Sequence, residues 1–283
     1  MMWLVIGIGN LLVGAAYSGL GLLSAWEAVS QYRTRGLSRF GLGFSMMAAS
    51  CGPHHLAHGW CVLNGGTVSP SLLGITLLGL PAGLIFCLLR IEAALGGPGD
   101  RTVLARPTTM AALATVFLLL VGLLAGLAMM APAPLVTQLI CTARGFIQLP
   151  VEGPAAPGSS MASVILGSNL FVTVTYGMVG WYLVATQVRR YVLDRSWSLS
   201  GLSLAAVFPT CAAMHLVAAL ASNHEAITLP FDLLGVPASI YFLWVVHRLH
   251  SDSVIDWNRR PLVGIAATPH REAPWSDQPA AIR

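Results

Sequence analysis

Lysine is absent from the 283 residues, so all fifteen basic side chains are arginine, and charged residues of both signs make up only 9% of the chain. Each shortage removes a class of protein. Without charge there is no polar shell for a soluble globular domain. Without lysine in the last apolar run there is no Schiff base, which excludes a retinal photoreceptor. Five cysteines (Cys51, Cys61, Cys87, Cys141, Cys211) are too sparse for a secreted disulfide scaffold. Cys61 and Cys141, expected near the outer face, are the one candidate pair. No basic segment precedes the first apolar run, whose nearest cation is Arg33, so that run is read as a retained span and not a cleavable signal peptide.

What the chain does have is apolar length. With 55% hydrophobic residues and a mean hydropathy of +0.73, it reads as an all-α polytopic membrane protein. Runs long enough to cross a bilayer core fall near 3–26, 41–63, 71–94, 108–131, 163–187, 200–222 and 229–248, which predicts seven transmembrane helices. The arginines cluster after helices 1, 3, 5 and 7, with only Arg144 in a loop on the opposite side. The positive-inside bias then puts the N-terminus outside, the C-terminal tail in the cytoplasm and the protein in the plasma (cytoplasmic) membrane. The formal charge of +4 is spread over short loops and the tail, where it sets topology and meets anionic lipid. Nucleic acid is excluded as a partner; the bilayer is the expected one.

A three-helix pattern occurs twice, about 160 residues apart. Asn10 and Tyr17 match Asn169 and Tyr176; Gly41, Cys51 and His55 match Gly201, Cys211 and His215; the run Leu77–Ala82 matches Leu233–Ala238. Three motifs agreeing in one order predict a duplicated unit whose copies meet about a pseudo-two-fold axis. The resulting organisation is 3+1+3: a first repeat over 1–95, a linker helix and outer loop over 104–162, a second repeat over 163–250, and a disordered cytoplasmic tail over 251–283. Within the outer loop, Leu135 to Leu149 is expected to lie along the membrane interface.

Chemistry concentrates on helices 2 and 6. Cys51, His55 and His58 stand at i, i+4 and i+7 on one helical face. Cys211 and His215 stand at the same depth on the matching face, with Met214 beside them and His224 in the outer loop just beyond. Two thiol and imidazole pairs meeting across the seam supply four ligands suited to zinc or monovalent copper, and the thioethers of Met46, Met47 and Met214 favour copper. The expected metal ligands are therefore Cys51, His55, His58, Cys211, His215, Met214 and His224. The alternative cofactor is haem, held between His55 and His215 as axial ligands. His54 points about 100° away from His55 and reads as structural. Asp232 opens helix 7, where it caps the helix or joins the histidines as a carboxylate. Glu27 and Glu92 are expected to be solvated at cytoplasmic helix ends. Asn10, Asn169, Tyr17 and Tyr176 line the same seam as hydrogen-bonding groups.

The segment Cys211 to Ala221, with Met214-His215 at its centre, resembles the motif of the MHYT integral membrane sensor domain. The tyrosine-bearing helix and short arginine loop before it (Tyr17 and Tyr176 in the two copies) are similar to that family's helix pairs. The resemblance implies copper held through Met214, His215 and His55, a role in sensing a small diatomic or redox signal, and a separate signalling or metal-delivery protein as partner. The first copy departs from the motif, with Pro53-His54-His55 where the family has Met-His. Two further readings stay open: a zinc-dependent intramembrane hydrolase, suggested by Ser50 and His54 with the additional histidines, and a small-solute carrier, suggested by the duplicated fold. No feature of the sequence requires catalysis.

Overall fold

The computed structural model describes residues 2–66, 68–104, 106–130, 160–220, 226–251 and 262–263. Among these residues the chain forms seven long helices: α1 (Met2–Ser30), α2 (Arg39–Leu63), α3 (Pro70–Ala94), α4 (Pro107–Met130), α5 (Ser160–Asp194), α6 (Leu199–Leu220) and α7 (Leu229–Ser251). The fold is all-α apart from two short strand pairs. Five of the helices, α1, α3, α5, α6 and α7, are long and apolar enough to cross a membrane. α4 reaches that composition only over the shorter stretch Pro107–Leu123. α2 has the length but not the hydropathy, because His54, His55 and His58 and several Ser and Gly residues dilute it. Its neighbours enclose it instead: 18 of its 25 residues are buried.

Local chemistry sets the helix ends. Ser38 caps α2, its hydroxyl accepting from Gly41 N at 3.0 Å, and Ser198 does the same one position before α6, accepting from Gly201 N at 3.0 Å. α3 opens with Pro70 at its first position behind the cap Ser69. Both turns leading to these helices use a left-handed residue. Gly36 has φ 72° and Arg195 has φ 50°, each donating its N–H to the carbonyl four residues back.

Six of the seven helices close into a ring in the order α1, α2, α7, α5, α6, α3. α1 packs on α2 and α3, and α5 packs on α6 and α7, while α2 meets α7 and α3 meets α6. α4 stands outside the ring against α1 and α3. The strand pairs follow the same crossing. Thr102–Leu104, after α3, pairs antiparallel with Ser196–Ser198, before α6; Leu262–Val263, after α7, pairs antiparallel with Leu37–Ser38, before α2. Val103 stands opposite Trp197 and Val263 opposite Leu37, the same register displaced by 160 residues.

Small residues decide how closely the helices approach. A methyl group on Gly52 of α2 would sit 2.7 Å from the backbone nitrogen of Ser18, and one on Gly14 of α1 would sit 2.8 Å from the Gly52 carbonyl. α1 and α2 therefore meet backbone to backbone, as small residues allow in lipid. Toward the arginine-bearing ends the ring is filled by aromatics. Phe44 packs on Phe86 at 5.6 Å between centroids, and Phe208 stacks on Phe242 at 5.3 Å. Glu27, expected to be solvated, is buried and ion-paired with Arg90 at 2.6 Å across α1 and α3, because a carboxylate facing a neighbouring helix needs a cation there. Glu92 does lie toward solvent and pairs with Arg101.

A candidate metal centre between the helices

Beyond the aromatic filling, the middle of the ring is polar. Asn10 and Asn169 organise it. The Nδ2 of Asn10 donates to the Ile6 carbonyl at 2.8 Å, and that of Asn169 to the Ile165 carbonyl at 2.9 Å. A carbonyl only accepts, so both amides are fixed with Oδ1 turned inward. There Asn10 Oδ1 meets His55 Nδ1 at 2.7 Å, and Asn169 Oδ1 meets His215 Nδ1 at 2.6 Å. Each Nδ1 must be the donor, and each imidazole therefore carries a lone pair on Nε2. A buried histidine held through one ring nitrogen with the other left basic is the arrangement metal-binding imidazoles adopt. Tyr17 supports the ring of His55 edge-on at 5.4 Å, and Tyr176 that of His215 at 5.9 Å.

The two corners then diverge. The second amide hydrogen of Asn10 reaches Thr76 Oγ1 at 3.4 Å, whereas that of Asn169 reaches Asp232 Oδ2 at 3.1 Å. Thr228 donates a further bond to Asp232 Oδ2 at 2.9 Å. With Oδ2 engaged twice, Asp232 Oδ1 faces His54, whose Nδ1 lies 2.7 Å away. The His54 ring in turn lies 4.6 Å from that of His215. His54, His215 and Asp232, 3%, 3% and 1% exposed, thus offer ligand atoms that all fall within 4.8 Å of one another. The group draws on α2, α6 and α7, and so forms only when the ring closes.

The residues expected to bind metal are distributed as follows. His215 belongs to the group. His55 lies in the opposite corner, with Cys211 Sγ 3.9 Å from its Nε2. Cys51 is drawn instead to the Tyr176 hydroxyl at 2.9 Å. Met214 is buried against Ile6, Val62 and Leu72, and His58 is buried on α2 outside the three-residue group. His224 and Cys141 lie outside the described residues, as do Leu135–Leu149 and nearly all of the tail. Cys51, Cys87 and Cys211 are free thiols; the pairing of Cys61 with Cys141 falls on Cys141, outside the described residues. His54, set aside as structural from its angle to His55, joins the group because α2 has helices on both sides of it: His55 faces α1 while His54 faces α6 and α7. The His54 ring lies 6.2 Å from that of His55 and 4.6 Å from that of His215.

Two signals in the sequence pointed to the residues that were passed over. His54 and Met214 occupy matched positions, and so do Thr76 and Asp232. A histidine and a carboxylate each appear in only one copy, and those two residues meet. Comparison of the chain with protein-family models, with curated proteins and with solved structures finds no match.

Proposed function

We propose that the chain is a multi-pass protein of the cytoplasmic membrane that holds a divalent transition-metal ion between two duplicated halves, at His54, His215 and Asp232, for sensing or handling that metal. The observation that carries this reading is the convergence of two imidazoles and a carboxylate inside an apolar helix ring. Ionisable groups at membrane depth are costly and serve function by default. Buried charges persist when paired or when they coordinate a metal. Asn169 and Thr228 already orient His215 and Asp232 from behind, as outer partners of metal ligands do.

The donor set selects the ion. Two nitrogens and one oxygen suit zinc or ferrous iron, and the 2-His-1-carboxylate arrangement is a usual one for iron. Copper was expected because of sulfur donors, and none belongs to this group. Duplication is supported by the ring order, by the strand registers displaced by 160 residues and by the paired Asn–His contacts. Seven spans read from the apolar runs and an outside N-terminus read from the arginines support a metal site toward the extracytoplasmic side. The sensing role draws on the resemblance of Cys211 to Ala221 to the MHYT domain. The Phe44, Phe86, Phe208 and Phe242 filling supports a binding site closed on the arginine side over a through-going solute path.

The test is elemental analysis of protein purified in detergent without chelator, followed by loading with zinc(II) or iron(II). One ion per chain is expected, lost in His54→Ala and in Asp232→Asn while both variants still elute as folded protein. Equal metal content in wild type and both variants would remove the proposal.

A further inference from the structure

The corner opposite the His54, His215 and Asp232 group holds two thiols that the metal does not use. Asn10 Oδ1 accepts from His55 Nδ1 at 2.7 Å, which leaves the Nε2 lone pair toward the Cys211 thiol 3.9 Å away. A thiol, an imidazole to take its proton and an amide to hold that imidazole are the nucleophile, base and orienter of cysteine chemistry. Cys211 also shares a side-chain hydrogen bond with Cys51 from the other half, so a second sulfur stands beside the first. His55, Cys211 and Tyr17 line a cavity of about 20 Å³, room for one water-sized group. Its walls include Ile75 of α3 and Thr210 of α6, both half-exposed, so it approaches lipid at the seam between those helices. We infer that Cys211 and Cys51 form a dithiol that reduces hydroperoxide groups on bilayer lipid, Cys211 attacking the peroxide and Cys51 closing the disulfide.

Depth selects the substrate. Cys211 lies within α6 (Leu199–Leu220) and Cys51 within α2 (Arg39–Leu63). Each is about 18 Å from the start of its helix at 1.5 Å per residue, near the middle of a hydrocarbon core about 30 Å thick. An electrophile at that depth is carried on an acyl chain and not on a headgroup, and no charged side chain lines the cavity to receive an ionic one. The second thiol selects the reaction. Acyl transfer to a cysteine needs one sulfur, whereas two in contact suit a two-electron reduction. His55 Nε2 takes the Cys211 proton, and the thiolate attacks the terminal peroxide oxygen. The O–O bond breaks, Cys211 becomes a sulfenic acid, and the departing lipid alkoxide takes the proton from His55 and leaves as the alcohol. The Tyr17 hydroxyl, 3.9 Å from Cys211 Sγ, stands beside the reacting sulfur to bond that alkoxide. Cys51 then attacks the Cys211 sulfur, the S–S bond forms, the S–O bond breaks and water leaves. The dithiol loses two electrons, the hydroperoxide gains two, and an external dithiol resets the pair.

The test uses the reduced chain in phosphatidylcholine nanodiscs, stripped of metal with chelator, freed of reductant and given phosphatidylcholine hydroperoxide. One lipid alcohol per chain is expected, with a Cys51–Cys211 disulfide identified by peptide mass spectrometry. Cys51→Ser should still form one alcohol and leave Cys211 as a sulfenic acid trapped by dimedone, a positive result that a misfolded protein would not give. Cys211→Ser should form none. No alcohol from the wild type, as much alcohol from Cys211→Ser as from the wild type, or a sulfenic acid on Cys51 in place of Cys211 would overturn the proposal. Because the reaction is read in metal-stripped protein, its outcome is separate from that of ion binding at His54, His215 and Asp232.

Discussion

The His215 corner and the His55 corner start from the same parts and finish with different chemistry. Both have an asparagine holding Nδ1, a tyrosine edge on the ring and a cysteine one turn before the histidine. They differ at two matched positions, His54 against Met214 and Thr76 against Asp232. These two differences give one corner a thioether and a hydroxyl where the other has an imidazole and a carboxylate, while the paired asparagines hold both histidine rings alike. The halves also differ in packing. Gly52 of the first half lets α1 and α2 touch through backbone, whereas its match in the second is Ala212, which is buried against α5 and whose carbonyl is reached by the Thr173 hydroxyl at 3.4 Å. The first pair is drawn tight by absence of side chain, the second by a hydroxyl.

The most direct way to break the comparison is to erase it. Thr76→Asp combined with Met214→His should convert the His55 corner into a copy of the His215 corner and raise bound zinc from one ion per chain to two, read by elemental analysis. No increase would mean that the asparagine scaffolds are not interchangeable. A smaller effect is expected behind the ligands. Asn169→Ala should weaken zinc by roughly 10–100-fold in competition titration, the usual worth of an outer-shell partner, while Asn10→Ala leaves zinc untouched. In packing, Gly52→Ala should destabilise the folded protein by about 1–3 kcal/mol through overpacking, whereas Ala212→Gly should cost at most about 1 kcal/mol, both read from unfolding in detergent. Smallest is the turn before α6. Arg195 holds a left-handed conformation that glycine adopts freely, so Arg195→Gly should stabilise by about 1 kcal/mol, less whatever its stacking on Tyr191 contributes.

Much of this architecture was legible beforehand because lipid leaves the chain few choices. Apolar length predicts the helices, and the described boundaries agree within a few residues except for α1 and α5, which extend past the apolar run. Hydropathy reads α2 poorly, since its polar residues are shielded by neighbouring helices, information that no single segment contains. His215 was legible because it recurs at a matched position. His54 was not, and Asp232 was legible only as one of two readings, cap or carboxylate ligand: recurrence draws attention to what two copies share, and these two residues are not shared. Helical angle also misled at His54. An angle of about 100° from a functional neighbour means lipid for a helix at the edge of a bundle, but another protein surface for a helix enclosed on both sides. Glu27 shows the same effect, since its partner Arg90 lies 63 residues away on α3 and no local pattern joins them.

One measurement bears on the central claim more directly than any other: the zinc and iron content of chelator-free, detergent-purified wild type beside Asp232→Asn. The account predicts one ion per chain in the wild type and near none in the variant, with both eluting as the same folded species. An identical metal content in the two proteins would contradict it.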